Sequence, residues 1–401
     1  MFQNSYVPYG GYWSTPFVKW QGNFANLHAL TFAAEIAKQA LAARQIAPDR
    51  FSSLYLGNTV PAPQSFYGAP WVAGLIGAEG ITGPTFAQAC ATSAQVIGSA
   101  AQAVEADTDE VILCLTADRT SNGPHLSYPN PMGPGGRPDT EDWVWDNFQQ
   151  DPHARGSMLQ TAENVAAAHH ITTEEQHHAV LIRHAQYQEA LKDNAAFHKR
   201  YMVTPVEVNP SGRKVIATVA DDEGVFPTSA DGLARLRPVL RDGTVTFGGQ
   251  TYPADGNAGM IVTSREQAQA LSQDPNIEIK LLAYAQGRAR KGHMPEANAP
   301  AIRKVLQQAN VSLSDIKAIK THNPFAVNDV FLSREFGIPL EGMNNYGSSL
   351  IWGHPQGPTG MRLVIELIEE LVLLGGGYGL FTGCAAGDTA AAVVVEVRGG
   401  H

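Results

Sequence analysis

Hydrophobic and polar positions follow two recurring patterns along the first part of the chain. Residues 24–47 repeat apolar side chains at three- and four-residue spacing, which predicts a helix. Residues 53–57 and 110–115 are short and mostly apolar, as is typical of buried strands, and a segment rich in small residues that ends near position 104 lies between them. Helices that alternate with such strands predict an α/β fold whose sheet is mostly parallel and covered on both faces.

The same alternation returns towards the C-terminus. Its predicted elements are a strand at 277–285, a helix at 298–309, a strand at 316–321, a helix at 358–375, and strands at 378–383 and 389–398. Between the two α/β regions the chain is first rich in proline and glycine and then polar and rich in histidine. We therefore predict an N-terminal half formed by 1–119 and 244–271, an inserted domain at 120–243, and a C-terminal half at 272–401.

The composition of the chain argues against several classes of protein. The chain of 401 residues has 28 Lys and Arg against 38 Asp and Glu, a net charge of −10, which argues against nucleic acid and anionic lipid as partners. Residues 1–5 lack a basic region followed by an apolar run, so we expect no secretory signal, and the uncharged stretch 80–104 is too polar for a membrane span. Three widely spaced cysteines do not make a disulfide framework, so we expect a reducing, cytoplasmic location.

Two of the three cysteines lie where a sulfur can react. Cys90 stands just before a predicted helix, whose N-terminal N–H groups and dipole favour a nucleophilic thiolate. The alternative is a small buried cysteine that only packs against the helix. Cys384 lies in a turn of small residues between two apolar strands. Cys114 is surrounded by Val, Ile and Leu in a predicted strand and is expected to belong to the core.

Two histidines lie in loops next to predicted elements. His354 stands between a glycine and a proline before the helix at 358–375, where an imidazole can face a cavity and exchange protons near neutral pH, or can cap the turn. His322 directly follows an apolar strand. Six histidines of the polar region, at 169, 170, 177, 178, 184 and 198, lack metal-site spacing, so we expect a solvated helix face and no metal site. No nucleotide-binding glycine loop follows a strand.

Several segments occur in the order and rough spacing of motifs of the thiolase family of acyl-CoA acyltransferases, which the chain resembles over nearly its whole length. The segments are Ser-Thr-Pro-Phe-Val-Lys at 14–19, Gln-Ala-Cys-Ala-Thr-Ser at 88–93, Met158 with Thr-Ala-Glu-Asn-Val-Ala at 161–166, Thr-Glu-Glu-Gln at 173–176, Gly-His-Pro-Gln-Gly at 353–357, and the turn around Cys384.

The resemblance implies a fold and a set of roles. The expected fold is five layers formed by two βαβαβαββ halves, with a CoA-binding loop domain inserted in the first half. Cys90 is expected to carry the acyl group, His354 to take its proton and then help to form an oxyanion hole, and Cys384 to move the proton at the α-carbon. The backbone N–H groups of Cys90 and Ala386 are expected to form the other oxyanion hole.

Departures from the family pattern affect the details. His322-Asn-Pro-Phe is similar to the His-Asp-x-Phe motif of the sterol-carrier and archaeal branch, which implies that His322 orients the water of an oxyanion hole. Ala386 and Asp388 replace usual glycines. Ser157 stands where a histidine commonly precedes Met158, and a usual serine near Asn257 is replaced by Gly259. Coenzyme A is nevertheless expected as substrate, through modified contacts and without a permanently bound cofactor.

The resemblance leaves substrate and assembly open. Four aromatic residues of the insertion could line a pocket for an acyl group bulkier than acetate, or could anchor their own loop: Tyr128, Trp143, Trp145 and Phe148. The family implies a homodimer or a dimer of dimers, and relatives of this branch work with a small zinc-ribbon/OB-fold partner protein. A ketosynthase-like condensing enzyme and a non-catalytic CoA-thioester-binding scaffold are the alternative functions.

Overall fold

The chain from residue 1 to residue 400 is described by a computed structural model, in which fifteen strands and twelve α-helices follow one another. The strands are β1 (Tyr6–Val7), β2 (Tyr12–Ser14), β3 (Val18–Lys19), β4 (Ser53–Gly57), β5 (Thr85–Phe86), β6 (Val111–Arg119), β7 (His125–Tyr128), β8 (Asp139–Asp142), β9 (Val206–Val208), β10 (Ala217–Val219), β11 (Ala254–Thr263), β12 (Glu278–Arg288), β13 (Ile316–His322), β14 (Gly377–Ala385) and β15 (Thr389–Arg398). The helices are α1 (Ala29–Ala43), α2 (Gly68–Ile76), α3 (Thr92–Ala106), α4 (Trp145–Gln149), α5 (Met158–Ala168), α6 (Thr173–Ala195), α7 (Ala230–Ala234), α8 (Arg265–Leu271), α9 (Asn298–Ala309), α10 (Ala326–Phe336), α11 (Ser349–Trp352) and α12 (Gly357–Leu373).

One mixed sheet of eleven strands forms the framework. Its order is β13-β14-β15-β12-β1-β11-β6-β4-β5, and β2 and β3 pair with β11. The strand β4 is parallel to β5 and β6, and β13 is parallel to β14, whereas the other pairs are antiparallel. The prediction of a mostly parallel sheet is therefore wrong. Strands covered on both faces are apolar in either direction, so an apolar run does not reveal strand polarity.

Two buried helices, α3 and α12, lie at the centre of the fold. They contact each other and strands from both ends of the sheet, while α1, α2 and α9 pack on the outside. A Cβ at Gly360 of α12 would lie 3.1 Å from the Cβ of Ser93 in α3, so glycine permits this close approach. The five α/β layers expected from the sequence are confirmed. They are the outer helices α1 and α2, one end of the sheet, the central helices, the other end of the same sheet, and the outer helix α9.

The predicted bounds of helices and strands differ from those in the structure mainly at the ends of helices. The helix at 298–309 and the strand at 389–398 coincide with α9 and β15. The helix expected at 24–47 is shorter, because the ring nitrogen Nδ1 of His28 accepts from the backbone N–H of Leu30 at 3.2 Å and caps α1. The helices α2 and α10 were not predicted, because glycines interrupt the first and polar residues the second.

The region expected as an insertion supplies no strand of the main sheet. Within 120–243, β7 pairs with β8 and β9 with β10 as two separate two-stranded sheets. The helices α5 and α6 pack against α10 of the C-terminal part. The exact division into three parts stays a prediction. No helix within residues 1–400 combines the length and hydrophobicity that crossing a lipid bilayer would require.

A buried ion pair ties this region to the central helix. The guanidinium of Arg362 in α12 donates to both carboxylate oxygens of Asp222 at 2.6 and 2.8 Å, and it lies over the ring of Trp352. His198 packs nearby and is only 1% exposed, so the prediction that the six histidines form a solvated face is wrong at this position. Burial lowers the pKa of His198 to about 4, so its ring is neutral at pH 7.

Candidate active site

Cys90 lies in a tight turn immediately before α3. Ala89 adopts a φ of +44°, and Thr92 stabilises the turn by accepting from the N–H of Gln88 at 2.8 Å and donating to the carbonyl of Ala89 at 2.7 Å. The helix begins at Thr92, and Ser93 then donates to the carbonyl oxygen of Gly357, the first residue of α12. The N-termini of the two central helices therefore meet, which places Cys90 beside the loop that precedes α12.

His354 in that loop faces the sulfur of Cys90. Gly353 has a φ of +92° and a ψ of 177°, a conformation open mainly to glycine, and it turns the next side chain inwards. The backbone N–H of His354 donates to the carbonyl of Tyr252 at 2.9 Å. The ring nitrogen Nε2 lies 3.0 Å from the Cys90 Sγ, and Nδ1 lies 2.6 Å from the hydroxyl of Thr359. These contacts orient the imidazole to receive the thiol proton.

Both groups of this pair are neutral at pH 7. Burial raises the pKa of the Cys90 thiol to about 12, and the backbone N–H groups of Ala386 and Cys90 offset only part of that rise. Burial also lowers the pKa of His354 to about 3. Loss of solvation thus opposes the thiolate that the helix terminus favours, and the expected thiolate stays a prediction. The sulfur becomes nucleophilic only when His354 accepts its proton during attack.

His322, the last residue of β13, packs against His354. The two ring centroids are 4.1 Å apart, and burial together with the neighbouring His354 ring holds the pKa of His322 well below its usual range. The Nδ1 of His322 contacts the hydroxyl of Ser349 at 2.8 Å. Its Nε2 is buried and has no hydrogen-bond partner among residues 1–400. The His322 ring therefore offers a free nitrogen beside His354 and Cys90.

Cys384, near the end of β14, is the second sulfur of the site. Because β13 and β14 are parallel and His322 is opposite Gly383, His322 and Cys384 reach the same edge of the sheet. The side-chain amide of Asn328 donates to the Cys384 Sγ at 3.1 Å. Burial raises the pKa of Cys384 to about 12, the neighbouring Cys90 sulfur adds to the rise, and hydrogen bonds from Asn328 and Asn298 lower it. Neither asparagine was singled out in the sequence.

The turn after Cys384 brings the backbone of Ala386 to the first sulfur. Its N–H lies near enough to the Cys90 thiol to lower the pKa of that thiol, and its role as a donor of an oxyanion hole stays a prediction. Asp388 has a φ of +58°, and its carboxylate accepts from the N–H of Gly292 at 2.8 Å. Asp388 can replace a usual glycine because aspartate tolerates this left-handed conformation, and its side chain fastens the turn to the loop before α9.

The buried carboxylate of Asp118, which the sequence analysis missed, holds together the loops next to the site. Asp118 accepts from the N–H groups of Thr59 at 2.7 Å, Val60 at 2.9 Å and Gly357 at 2.8 Å, and from the side chains of Asn58 and Thr59. Burial raises the pKa of Asp118 to about 6, although these hydrogen bonds oppose the rise. The network ties the loop after β4 to the first turn of α12, next to His354.

The residues expected to bind CoA have different environments. Ser157 caps α5 by accepting from the N–H of Gln160 at 3.1 Å, and Met158 is half-buried at the start of the same helix. Gly259 lies in the middle of β11 with its Cα side covered by Trp13, so it has no surface for a ligand. The assignment of Gly259 to CoA binding is wrong, because the strand is buried along its whole length.

The aromatic residues of the insertion have mixed environments. Trp143 donates from its indole nitrogen to the carbonyl of Thr59 at 2.9 Å, which anchors its loop beside the Asp118 network. Trp145 is 53% exposed, and the hydroxyl of Tyr128 donates to Glu141 at 2.8 Å. The loop-anchoring alternative therefore describes Trp143. Cys114 is fully buried in β6, as predicted for a core residue.

Comparisons with known proteins agree with this arrangement. Residues 12–266 match the profile of the thiolase N-terminal domain, and residues 276–397 match that of the thiolase C-terminal domain. The human mitochondrial 3-ketoacyl-CoA thiolase is 29% identical over 391 residues, which covers 95% of this chain and 96% of that protein. Its crystal structure in complex with CoA is similar with a TM-score of 0.87 and 27% identity, covering 98% of each chain. The Bacillus anthracis acetyl-CoA acetyltransferase structure gives a TM-score of 0.89 at 26% identity, covering 99% of each chain.

Proposed function

The chain belongs to the thiolase family, and we propose that it transfers an acyl group between coenzyme A and Cys90. The reaction is thiolytic cleavage of a 3-oxoacyl-CoA or the reverse Claisen condensation of two thioesters. The observation that carries the proposal is the 3.0 Å contact between the Cys90 Sγ and the His354 Nε2, with Cys384 beside it. A nucleophile, a base and a second proton-transfer group are what this chemistry requires.

In the condensing direction, the first half-reaction acylates Cys90. The His354 Nε2 takes the thiol proton while the sulfur attacks the thioester carbonyl, and the carbon–sulfur bond to CoA then breaks. The proton passes to the departing CoA thiolate, so the charge balances. The N–H groups of Ala386 and Cys90 are proposed to stabilise the oxyanion of the tetrahedral intermediate, a contribution typically worth about two to three orders of magnitude in rate per donor.

The second half-reaction forms the carbon–carbon bond. The Cys384 thiol first gives its proton to the His354 Nε2, and its thiolate then takes a proton from the α-carbon of a second thioester. The resulting carbanion attacks the acyl carbon on Cys90, and the departing Cys90 sulfur receives the proton from His354. The enolate oxygen is proposed to be stabilised by the His354 imidazole and by a water oriented by His322. The free Nε2 of His322 supports this role, since it is a buried polar atom aimed at the same place. In the thiolytic direction the same steps run in reverse.

Coenzyme A is a substrate in this scheme and not a resident cofactor. The similar human thiolase has been solved with CoA, and we propose that CoA approaches the site between the inserted region and the loop before α12. The start of α5, with Ser157 and Met158, is the part of the insertion proposed to contact it. The cytoplasmic location expected from the cysteine usage is part of the same proposal.

The acyl group is proposed to be bulkier than acetyl. The support is Trp143, whose indole is hydrogen-bonded to Thr59, while the Thr59 hydroxyl contacts both Asp118 and Gln356 near the reactive pair. This places one large aromatic side chain of the insertion close to the site. We propose that the loop anchored by Trp143 borders the acyl group and that the substrate is a branched or aryl 3-oxoacyl-CoA.

We also propose a homodimer, or a dimer of dimers, and a small zinc-ribbon/OB-fold partner protein. The support for the dimer is the strand β5, which is an edge of the main sheet. Phe66 and Tyr67 nearby are 93% and 66% exposed. An unpaired edge beside exposed aromatic rings suits pairing with a second copy. Light scattering of the purified chain, alone and with a candidate partner, tests both assemblies.

The experiment for the central proposal is a thiolysis assay with free CoA and a panel of 3-oxoacyl-CoA substrates with acetyl, medium-chain, branched and aryl groups. We expect cleavage of at least one member and a preference for the bulky ones. Cys90→Ser is expected to abolish cleavage, and Cys114→Ser, which changes a sulfur in the core strand β6, serves as the matched control. Absence of cleavage across the panel by a folded protein would favour the non-catalytic scaffold.

A further inference from the structure

We propose that Cys90, His322 and His354 form a binding site for Zn²⁺, and that the bound ion blocks acyl transfer by occupying the Cys90 sulfur. The thiol sulfur and one ring nitrogen from each histidine all lie within 4.8 Å of one another. The set combines one sulfur and two imidazole nitrogens, which are ligands that Zn²⁺ prefers. The site overlaps the reactive groups, but its function is inhibition and not catalysis.

The distances between the donor atoms are near those of a zinc centre. Tetrahedral zinc, with bonds of about 2.3 Å to sulfur and about 2.0 Å to nitrogen, holds its ligand atoms roughly 3.3 to 3.6 Å apart. The Cys90 Sγ and the His354 Nε2 are 3.0 Å apart, and the longest separation in the cluster is below 4.8 Å. Small side-chain rotations therefore suffice to surround an ion.

The hydrogen bonds around His322 leave its Nε2 free to bind a metal ion. The Ser349 hydroxyl donates its single proton to the side-chain oxygen of Asn323 at 3.2 Å. The Nδ1 of His322 lies 2.8 Å from the same hydroxyl oxygen, and in the proposed site that oxygen accepts from the Nδ1–H. The proton on Nδ1 leaves a lone pair on Nε2, the buried atom that has no partner among residues 1–400. An unpaired acceptor of this kind is costly to bury and is satisfied by a cation.

The second histidine is oriented in the same way. The Nδ1 of His354 lies 2.6 Å from the Thr359 hydroxyl, and its Nε2 faces the Cys90 thiol. Each of the two imidazoles thus has one nitrogen fixed by a hydroxyl and the other directed at the sulfur. Hydrogen bonds of this type to the second ring nitrogen fix the tautomer of histidine ligands in metal sites.

Binding of zinc exchanges a proton for the ion. The Cys90 thiol loses its proton to solvent, the sulfur–zinc bond forms, and the two neutral imidazoles donate their Nε2 lone pairs, so that no oxidant or reductant is needed. Three protein ligands leave a fourth position for water. The sulfur can no longer attack a thioester, and His354 can no longer accept its proton. A chelator that removes the ion restores the thiol.

The test uses the purified full chain under reducing, metal-free conditions, with Co²⁺ as a spectroscopic probe and Zn²⁺ as its competitor. We expect one Co²⁺ per chain, with tetrahedral absorption in the visible range and a sulfur-to-cobalt charge-transfer band in the near ultraviolet. Cys90→Ser is expected to remove the charge-transfer band. His322→Asn, which retains a polar side chain of smaller size, is expected to weaken zinc binding at least about tenfold.

The matched control is His125→Asn, since this histidine is 79% exposed and lies outside the cluster. We expect it to bind Co²⁺ and Zn²⁺ as the parent chain does. Equal zinc affinity of the parent and His322→Asn, or a cobalt spectrum without the sulfur band, would overturn the proposal. Acylation of the zinc-free chain by an acyl-CoA is measured separately, so failure of the metal site is distinguishable from failure of the proposed function.

Discussion

The side-chain amide of Asn328 donates a hydrogen bond of 3.1 Å to the sulfur of Cys384. The carbonyl oxygen of the same amide is buried without a hydrogen-bond partner in residues 1–400, while the hydroxyl of Thr382 fixes the neighbouring Asn298 by donating to its side-chain oxygen at 2.9 Å. Two amides thus form hydrogen bonds to the buried Cys384 sulfur and lower its pKa, whereas loss of solvation raises it. In this account they determine how readily Cys384 exchanges the proton of the α-carbon.

Asn328→Ala tests that relationship. A hydrogen bond to a charged group contributes about 1.5–3 kcal/mol, so the rate of thiolysis is expected to fall roughly tenfold to a hundredfold. The pKa of Cys384 should rise further, which moves the rising limb of the pH profile to higher pH. Acyl-adduct formation on Cys90 should change little, and Asn328→Gln should recover part of the rate. An equal loss of acylation would contradict a role confined to Cys384.

Asp118 predicts a pH-dependent stability. Its pKa is raised from 3.8 to about 6 by burial, so the folded chain binds a proton more tightly than the unfolded chain. The contribution of this carboxyl is therefore fully present below about pH 4 and is lost as the pH rises through about 6, by about 3 kcal/mol in total. Denaturant unfolding of the parent and of Asp118→Asn should give a stability difference that shifts in favour of the parent on acidification from pH 7 to pH 4. A pH-independent difference would exclude the raised pKa.

The protonation state of Cys90 can be read from its reaction with iodoacetamide. With a pKa of about 12 and a neutral His354 beside it, Cys90 should be alkylated slowly at pH 7, and the rate should keep rising through pH 9. Peptide mass mapping distinguishes Cys90 from the buried Cys114 and Cys384. A rate that is already maximal at pH 6 would instead indicate a thiolate–imidazolium pair.

Gly353→Ala tests how backbone conformation positions His354. The residue has a φ of +92°, and an added Cβ would lie 2.7 Å from Cε2 of Tyr252. Strain of about 1–3 kcal/mol is expected, and a displaced imidazole should lower thiolysis at least about a hundredfold. Gly337→Ala is the control, since Gly337 has a φ of +65° but nothing within 4 Å of its added Cβ. It should lose stability while keeping its activity, as measured by unfolding and by the same assay.

Local patterns in the sequence sufficed for much of the fold and for the reactive side chains. Cys90 and His354 each precede a helix that small and apolar residues predict, and His322 follows an apolar strand, so their positions at element ends follow from local sequence. That these ends meet depends on α3 packing against α12 through Gly360, a long-range contact that no local pattern encodes. The roles came from resemblance to a family and not from spacing.

The features that the sequence did not reveal depend on contacts between residues distant in the chain. Asn298 and Asn328 are polar residues on helices, and only the fold reveals that both face a sulfur. Asp118 lies at the end of an apolar strand, where a surface position would have been equally reasonable. Gly259 was assigned to CoA binding from motif position alone, but β11 is covered by β2, β6 and Trp13. The parallel or antiparallel direction of the strands could not be predicted, because a buried strand is equally hydrophobic in either direction.

The most direct measurement is the intact mass of the chain after incubation with a simple acyl-CoA, for the parent, Cys90→Ser and Cys384→Ala. We expect one added acyl group on the parent and on Cys384→Ala, none on Cys90→Ser, and no carbon–carbon cleavage or condensation by Cys384→Ala. An adduct that persists in Cys90→Ser, or that disappears in a folded Cys384→Ala, would contradict the division of labour between the two sulfurs.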